Sequence, residues 1–113
     1  CSALREINKI IYYAIRGRNL ITKELASILE DVDAFITPTV PFPAFKLGEK
    51  MNDPLSMYMC DIFSAPANLA GIPAISIPSG FTKGGLPLGL QITAPYLRED
   101  ILFTIGKDFE KQV

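Results

Sequence analysis

The chain has 113 residues, with 11 Lys and Arg against 12 Asp and Glu and a formal net charge of −1. One compact domain is therefore the ceiling, and little electrostatic attraction to nucleic acid or anionic lipid is expected. Hydrophobic residues at 49% and charged residues at 20% supply enough apolar surface for a core and give no signature of disorder. Histidine is absent from the sequence, which excludes a Ser-His-Asp or Cys-His relay and an imidazole metal site within it. The two cysteines, Cys1 and Cys60, are too few for a four-thiolate zinc centre and read as reduced cytosolic thiols. Charged residues, Gly or Pro interrupt every apolar run before the roughly 18–20 residues that a membrane span needs. The start at Cys1, without Met or a signal-peptide pattern, and the end at Glu110-Lys111-Gln112-Val113, before any helix stop signal, read as cut ends of a longer polypeptide.

Apolar positions at Leu4, Ile7, Ile11, Ala14, Ile21, Leu25, Ile28 and Val32 recur three and four apart and predict one long amphipathic helix or two. Gly17 and Asn19 are poor helix formers, the glycine by about 1 kcal/mol relative to alanine, and allow a kink near 17–19. Arg18 occupies a slot on the apolar stripe and reads as a snorkelling side chain whose head finds a carboxylate. Asp33 closes the helical region, and Ala34-Phe35-Ile36-Thr37 reads as a short buried strand stopped by Pro38. Residues 38–52, punctuated by Pro38, Pro41, Pro43 and Gly48, favour an irregular path. Asp53-Pro54 then looks like an N-cap followed by proline at the first helical position. The helix it opens should run to Gly71 with a kink or restart at Pro66, which lacks an N–H. Ala74–Pro78 and Leu88–Thr93 read as strands joined by a turn at Gly84-Gly85. Arg98-Glu99-Asp100 starts a last helix through Ile101, Leu102, Ile105 and Phe109, with Lys107 and Lys111 toward its end, a charge order that suits the helix dipole. The fold class is α/β.

Few residues stand out as carriers of chemistry. On a regular helix over 54–70, Tyr58, Asp61, Ala65 and Asn68 fall on one face, so that a hydroxyl, a carboxylate and an amide point the same way. Asp61 could there bind an ammonium group or act as a base; the plain alternative is a solvated helix face with Asn68 bonding backbone near Gly71. The glycines of 80–89 match neither phosphate-binding pattern in its strand-to-helix context, so that stretch reads as a hairpin. Ser76 and Ser79 have no activating base fixed by spacing, with Lys83 or an acid elsewhere the candidates. Lys9, Lys46 and Lys50 read as solvated charges, and no metal site is expected.

The stretches Pro43-Ala44-Phe45-Lys46-Leu47-Gly48-Glu49-Lys50, Asp53-Pro54-Leu55-Ser56-Met57-Tyr58 and Asp61-Ile62-Phe63-Ser64-Ala65-Pro66-Ala67-Asn68-Leu69-Ala70-Gly71 resemble the C-terminal part of the A subunits of aspartyl/glutamyl-tRNA amidotransferases. Pro73–Pro78, Gly80 and Gly85-Leu86-Pro87-Leu88-Gly89-Leu90-Gln91-Ile92 extend the resemblance, and this later block is shared across the amidase signature family. The likeness covers the whole chain, including the Val32-Asp33 to Thr37-Pro38-Thr39 region. It departs locally at Gly17, Ser64, Ser79 and Thr93-Ala94-Pro95.

The resemblance implies that residues 1–113 are a C-terminal fragment of a single amidase domain whose intact form is a mixed central sheet flanked by helices. It further implies glutamine hydrolysis by a Ser, a cis-linked Ser and a Lys, all upstream of this chain, with the ammonia used to convert Glu-tRNA(Gln) to Gln-tRNA(Gln). Asp61 would help hold the charged end of glutamine, together with an arginine upstream of Cys1, and Tyr58 and Asn68 would form supporting walls. No cofactor would be bound by the chain itself; ATP and magnesium would serve a partner subunit. Partners would be amidotransferase subunits B and C, glutamine and, through the complex, misacylated tRNA, with no direct nucleic-acid patch and no membrane. The expected location is the cytoplasm, or an organelle in a eukaryote. Two other readings stand beside this one: a piece of a stand-alone amidase acting on another amide, and a non-catalytic α/β binding module.

Overall fold

The computed structural model describes residues 2–49 and 53–112. Cys1, Lys50 and Val113, on which the reduced-thiol, solvated-amine and cut-end readings partly rest, lie outside the described residues. In chain order the elements are α1 (Ser2–Asp31), β1 (Phe35–Pro38), α2 (Pro54–Met59), α3 (Ala65–Ala70), β2 (Ala74–Phe81), β3 (Pro87–Thr93) and α4 (Glu99–Glu110). The α/β class is as expected.

The 30 residues of α1 form one uninterrupted helix, so the sequence's allowance for a break at 17–19 is not used. A long cooperative helix absorbs the roughly 1 kcal/mol propensity deficit of a single glycine. Arg18 lines a shallow groove with Ile11, Ala14, Ile15 and Leu69, which fits a packed stem. Its head, however, meets no carboxylate within ion-pair distance among the described residues, where the two ion pairs are Lys9–Glu6 and Arg98–Asp100.

The sheet has the order β1-β3-β2, with both pairings antiparallel. β1 runs one residue later than expected, ends on Pro38, and is a half-exposed edge strand rather than a buried one. Proline cannot donate to a ladder, which confines such a strand to an edge. β2 continues past Pro78 to Phe81 through an irregularity between Pro78 and Gly80. The hairpin forms as expected, with Gly85 at φ +89° and Leu86 N–H donating to Thr82 Oγ1. Gly89 permits a close approach beside it: a Cβ there would sit 2.8 Å from Thr39 Oγ1 and 3.0 Å from Ser76 Oγ, and those two hydroxyls are 2.6 Å apart across the strand.

Strand alternation divides the sheet into two faces. Ile77 and Ile92 lie on the face covered by α4 and, with Ala94 and Leu102, form the buried core, ringed by Ile75, Leu90, Ile101, Ile105 and Phe109. The opposite face carries Gln91 in register with Thr37 and Ser76, and Thr93 in register with Phe35 and Ala74. The α1 helix reaches away from this core, touching α3. The radius of gyration is accordingly 17.6 Å, against about 13 Å for a compact chain of this length.

Candidate functional site

The segment that holds Asp61 is built from local hydrogen bonds. Asp53 caps α2 as the sequence indicated: its Oδ1 accepts from Ser56 N–H at 3.3 Å, its Oδ2 from Ser56 Oγ–H at 2.6 Å, and Pro54 takes the first turn, where its missing N–H is no loss. The expected helix over 54–70 is broken, and earlier than Pro66. After Met59 the bonds tighten, with Cys60, Asp61 and Ile62 N–H donating to Met57, Tyr58 and Met59 carbonyls. Pro66 keeps the ladder from running unbroken through this stretch, because it cannot supply the donor for the Ile62 carbonyl. A new helix starts with Pro66 in its first turn and ends at Gly71 in the left-handed conformation, φ +69°.

Between α2 and α3 the Asp61 carbonyl accepts from Ser64 N–H at 3.2 Å, Ala65 N–H at 2.9 Å and Ser64 Oγ–H at 3.3 Å. This turn presents the Asp61 side chain to a cavity of about 740 Å³ between α1 and the 58–69 segment. Ile21, Leu25, Ile28, Met59, Ile62 and Leu69 make its walls apolar, and Tyr58, Ala65, Asp61 and Glu24 complete the lining. The structure thus brings together three of the four residues expected on one face. Asn68 is exposed and lies outside the lining, because the break at 60–64 removes the regular spacing that would have aligned it. Tyr58 is 79% exposed, and the Asp61 carboxylate has no hydrogen-bond or ion-pair partner among the described residues. Two carboxylates with no Lys or Arg in the lining make a site suited to a cationic group.

The other candidates resolve differently. Ser76 Oγ is bonded to Thr39 Oγ1 and Ser79 lines a separate hollow with the Pro38–Ala44 segment, so neither meets an acid or an amine. Lys9 lies 3.8 Å from Glu6 on the surface, and Lys46 and Lys83 are exposed. Among the described residues no three His, Cys, Asp or Glu side chains converge as metal ligands, and no helix is long and apolar enough to cross a membrane. The perturbed ionisable groups are at the start of α4. There, hydrogen bonds of 3.0 and 3.1 Å from Arg98 hold the Asp100 carboxyl below its ordinary value, and Asp100 raises Arg98. Neither lines the cavity.

Sequence reasoning missed two residues. Glu24 sits between Ile21, Leu25 and Ile28 at helical spacing, and an acid embedded in an apolar stripe was the available signal. Gln91 is 6% exposed, and its Nε2–H donates to the Phe63 carbonyl at 2.7 Å. It stands at a polar position of an alternating strand, and nothing local announces that another segment covers that face.

The Amidase family matches residues 3–103. A glutamyl-tRNA(Gln) amidotransferase A subunit of Clostridium acetobutylicum is 50% identical over 102 residues, covering 88% of this chain and 21% of that protein. The crystal structure of the glutamyl-tRNA(Gln) amidotransferase A subunit from Thermotoga maritima superposes with a TM-score of 0.74 at 44% identity, covering 82% of this chain and 20% of that one. The structure of 6-aminohexanoate cyclic dimer hydrolase aligns with a TM-score of 0.66 at 30% identity, over 94% of this chain and 23% of the other. The chain spans about a fifth of the length of the curated relatives it matches. With a family match running across nearly all of its residues and a fold shared with these structures, the chain belongs to the amidase family.

Proposed function

We propose that residues 1–113 are the C-terminal part of a single amidase domain in the glutamine-hydrolysing A subunit of a glutamyl-tRNA(Gln) amidotransferase. The observation that carries the reading is the unpartnered Asp61 carboxylate at the apolar cavity, beside Glu24 and without a cation, in a chain half identical to such subunits. Asp61 accepts hydrogen bonds from the α-ammonium group of glutamine and fixes that end of the substrate, a charge-assisted contact that leaves the ammonium protonated. The apolar side chains of α1 and α3 offer packing for the aliphatic stem, and Tyr58 flanks it. Asn68 is exposed and outside the lining, and forms no wall of the cavity. Cleavage of the side-chain amide belongs to the family's Ser, cis-Ser and Lys set, to which no residue of this chain is assigned. The 113-residue chain alone therefore releases no ammonia from glutamine.

In this reading the ammonia serves a partner subunit that converts Glu-tRNA(Gln) to Gln-tRNA(Gln) with ATP and magnesium. The chain works beside subunits B and C in the cytoplasm and meets tRNA only through that complex. No residue of the chain is assigned to ATP or magnesium.

The test is the intact enzyme purified with subunits B and C. Glutamine-dependent formation of Gln-tRNA(Gln), with no hydrolysis of 6-aminohexanoate cyclic dimer, is the expected result. Hydrolysis of the cyclic amide in the absence of any partner, with glutamine inert, would establish a stand-alone amidase instead.

A further inference from the structure

The Asp61 turn carries little rigidity of its own. Residues 60–64 lie outside both flanking helices, and their backbone bonds reach only three or four residues away, into the ends of the short helices α2 and α3. A side chain that must meet a substrate group at hydrogen-bond distance needs a fixed backbone beneath it, because small displacements forfeit much of such a contact. The source of that fixity is visible one layer below. In an uninterrupted helix the Phe63 carbonyl would take the Ala67 N–H; here it accepts Gln91 Nε2–H at 2.7 Å, a bond spanning 28 residues. Gln91 sits in the central strand of the sheet, paired with Thr37 on one side and Ser76 on the other. Its backbone is therefore held on both edges. With the side chain 6% exposed, an amide separated from Phe63 would be left buried without that partner.

We propose that Gln91 is the positioning residue of the substrate site: it ties the turn bearing Asp61 to the sheet through the Phe63 carbonyl. The path is short. Phe63 is two residues from Asp61, and the Ser64 and Ala65 N–H groups close back on the Asp61 carbonyl, so the turn moves as one piece with the atom that Gln91 grips. Pro66 is what makes the tie necessary, since it starts α3 afresh and leaves the preceding turn outside the helix. The bond itself is a feature of the fold; that it governs glutamine binding rests on the proposed role of Asp61.

The experiment uses the intact enzyme. Gln91→Met keeps the side-chain length and removes the donor, and Gln91→Glu keeps the shape but sets an acceptor against the carbonyl. Both should raise KM for glutamine about three- to tenfold while kcat stays within about twofold, with transfer from supplied ammonia unchanged. Amide exchange at Ser64 and Ala65 should quicken by about tenfold, which reads the tie independently of any substrate. In an Asp61→Asn background the effect of Gln91→Met on KM should vanish, because the two act through one contact. Unchanged exchange at Ser64 and Ala65 overturns the proposal, as does an undiminished KM effect without Asp61. Failure of both Gln91 variants to fold overturns it too, by making the residue a support of the whole domain. If Asp61→Asn alone leaves glutamine kinetics untouched while the Gln91 variants quicken exchange, the tie stands and the substrate role of Asp61 falls.

Discussion

Ile92 and Ile11 are the same side chain in opposite circumstances. Ile92 is wholly buried between β3 and α4, whereas Ile11, on the apolar stripe of α1, is 52% exposed, as are Leu4, Ile7 and Ile28 to similar degrees. The β2–β3 hairpin and α4 bury the residues at their contact, Ile77, Ile92 and Leu102, while α1 and α2 leave their apolar faces largely open, with Leu29 the one buried residue of α1. A stripe this regular is the mark of a face that packs, so the difference separates a self-sufficient region from one whose apolar surface is presented to something else. The Asp61 cavity lies along the second region, and Gln91 borrows order for it from the first.

The largest expected effect comes from the buried side. Leu102→Ala removes core volume beneath the sheet and should cost about 2–5 kcal/mol, read as lost exchange protection of the β3 amides, whereas Ile7→Ala on the open stripe should change the same protection by no more than about 0.5 kcal/mol in the 113-residue chain. Equal losses at the two sites would abolish the distinction between the regions. Next in size is Gly89→Ala. Its methyl would meet the Thr39 and Ser76 hydroxyls at 2.8 and 3.0 Å, so the Thr39–Ser76 bond must open, at an expected cost of about 1–3 kcal/mol by thermal melting. A neutral Gly89→Ala would mean that the link between β1 and the hairpin contributes nothing.

The smallest effect is the exposed Arg98–Asp100 pair. Its depressed carboxyl stabilises the folded form above the ordinary carboxylate value of 3.8, and the contribution is lost as the pH falls through the lower folded value. Asp100→Asn should remove only that part of the acid dependence of α4, followed by circular dichroism between neutral pH and pH ~2. An acid limb that is unchanged in the variant would show that the pair does not couple to folding.

What was legible in the sequence follows the same division. Local signals worked: the Asp53 cap, the Gly71 stop, the Gly85 turn and the acids opening α4 are each set by chemistry within a few residues. The long period of α1 was legible too, and only the effect of Gly17 was overstated. Signals that depend on a neighbour failed. The half-exposure of β1, the missing carboxylate for Arg18 and the grip of Gln91 on Phe63 are all decided by segments distant in the chain. Pro66 lies between the two cases. Its disruption was readable, but the structure opens the break at Cys60, two residues before the Ile62 carbonyl that Pro66 leaves without a donor.

The central claim is that Asp61 meets the substrate. Asp61→Asn in the intact enzyme keeps the shape and removes the charge, and losing one charge-assisted contact should lower kcat/KM for glutamine by about ten- to 150-fold, equivalent to roughly 1.5–3 kcal/mol. Transfer from supplied ammonia should stay near the parent rate. A glutamine rate within about twofold of the parent, or an equal loss with glutamine and ammonia, would contradict the account.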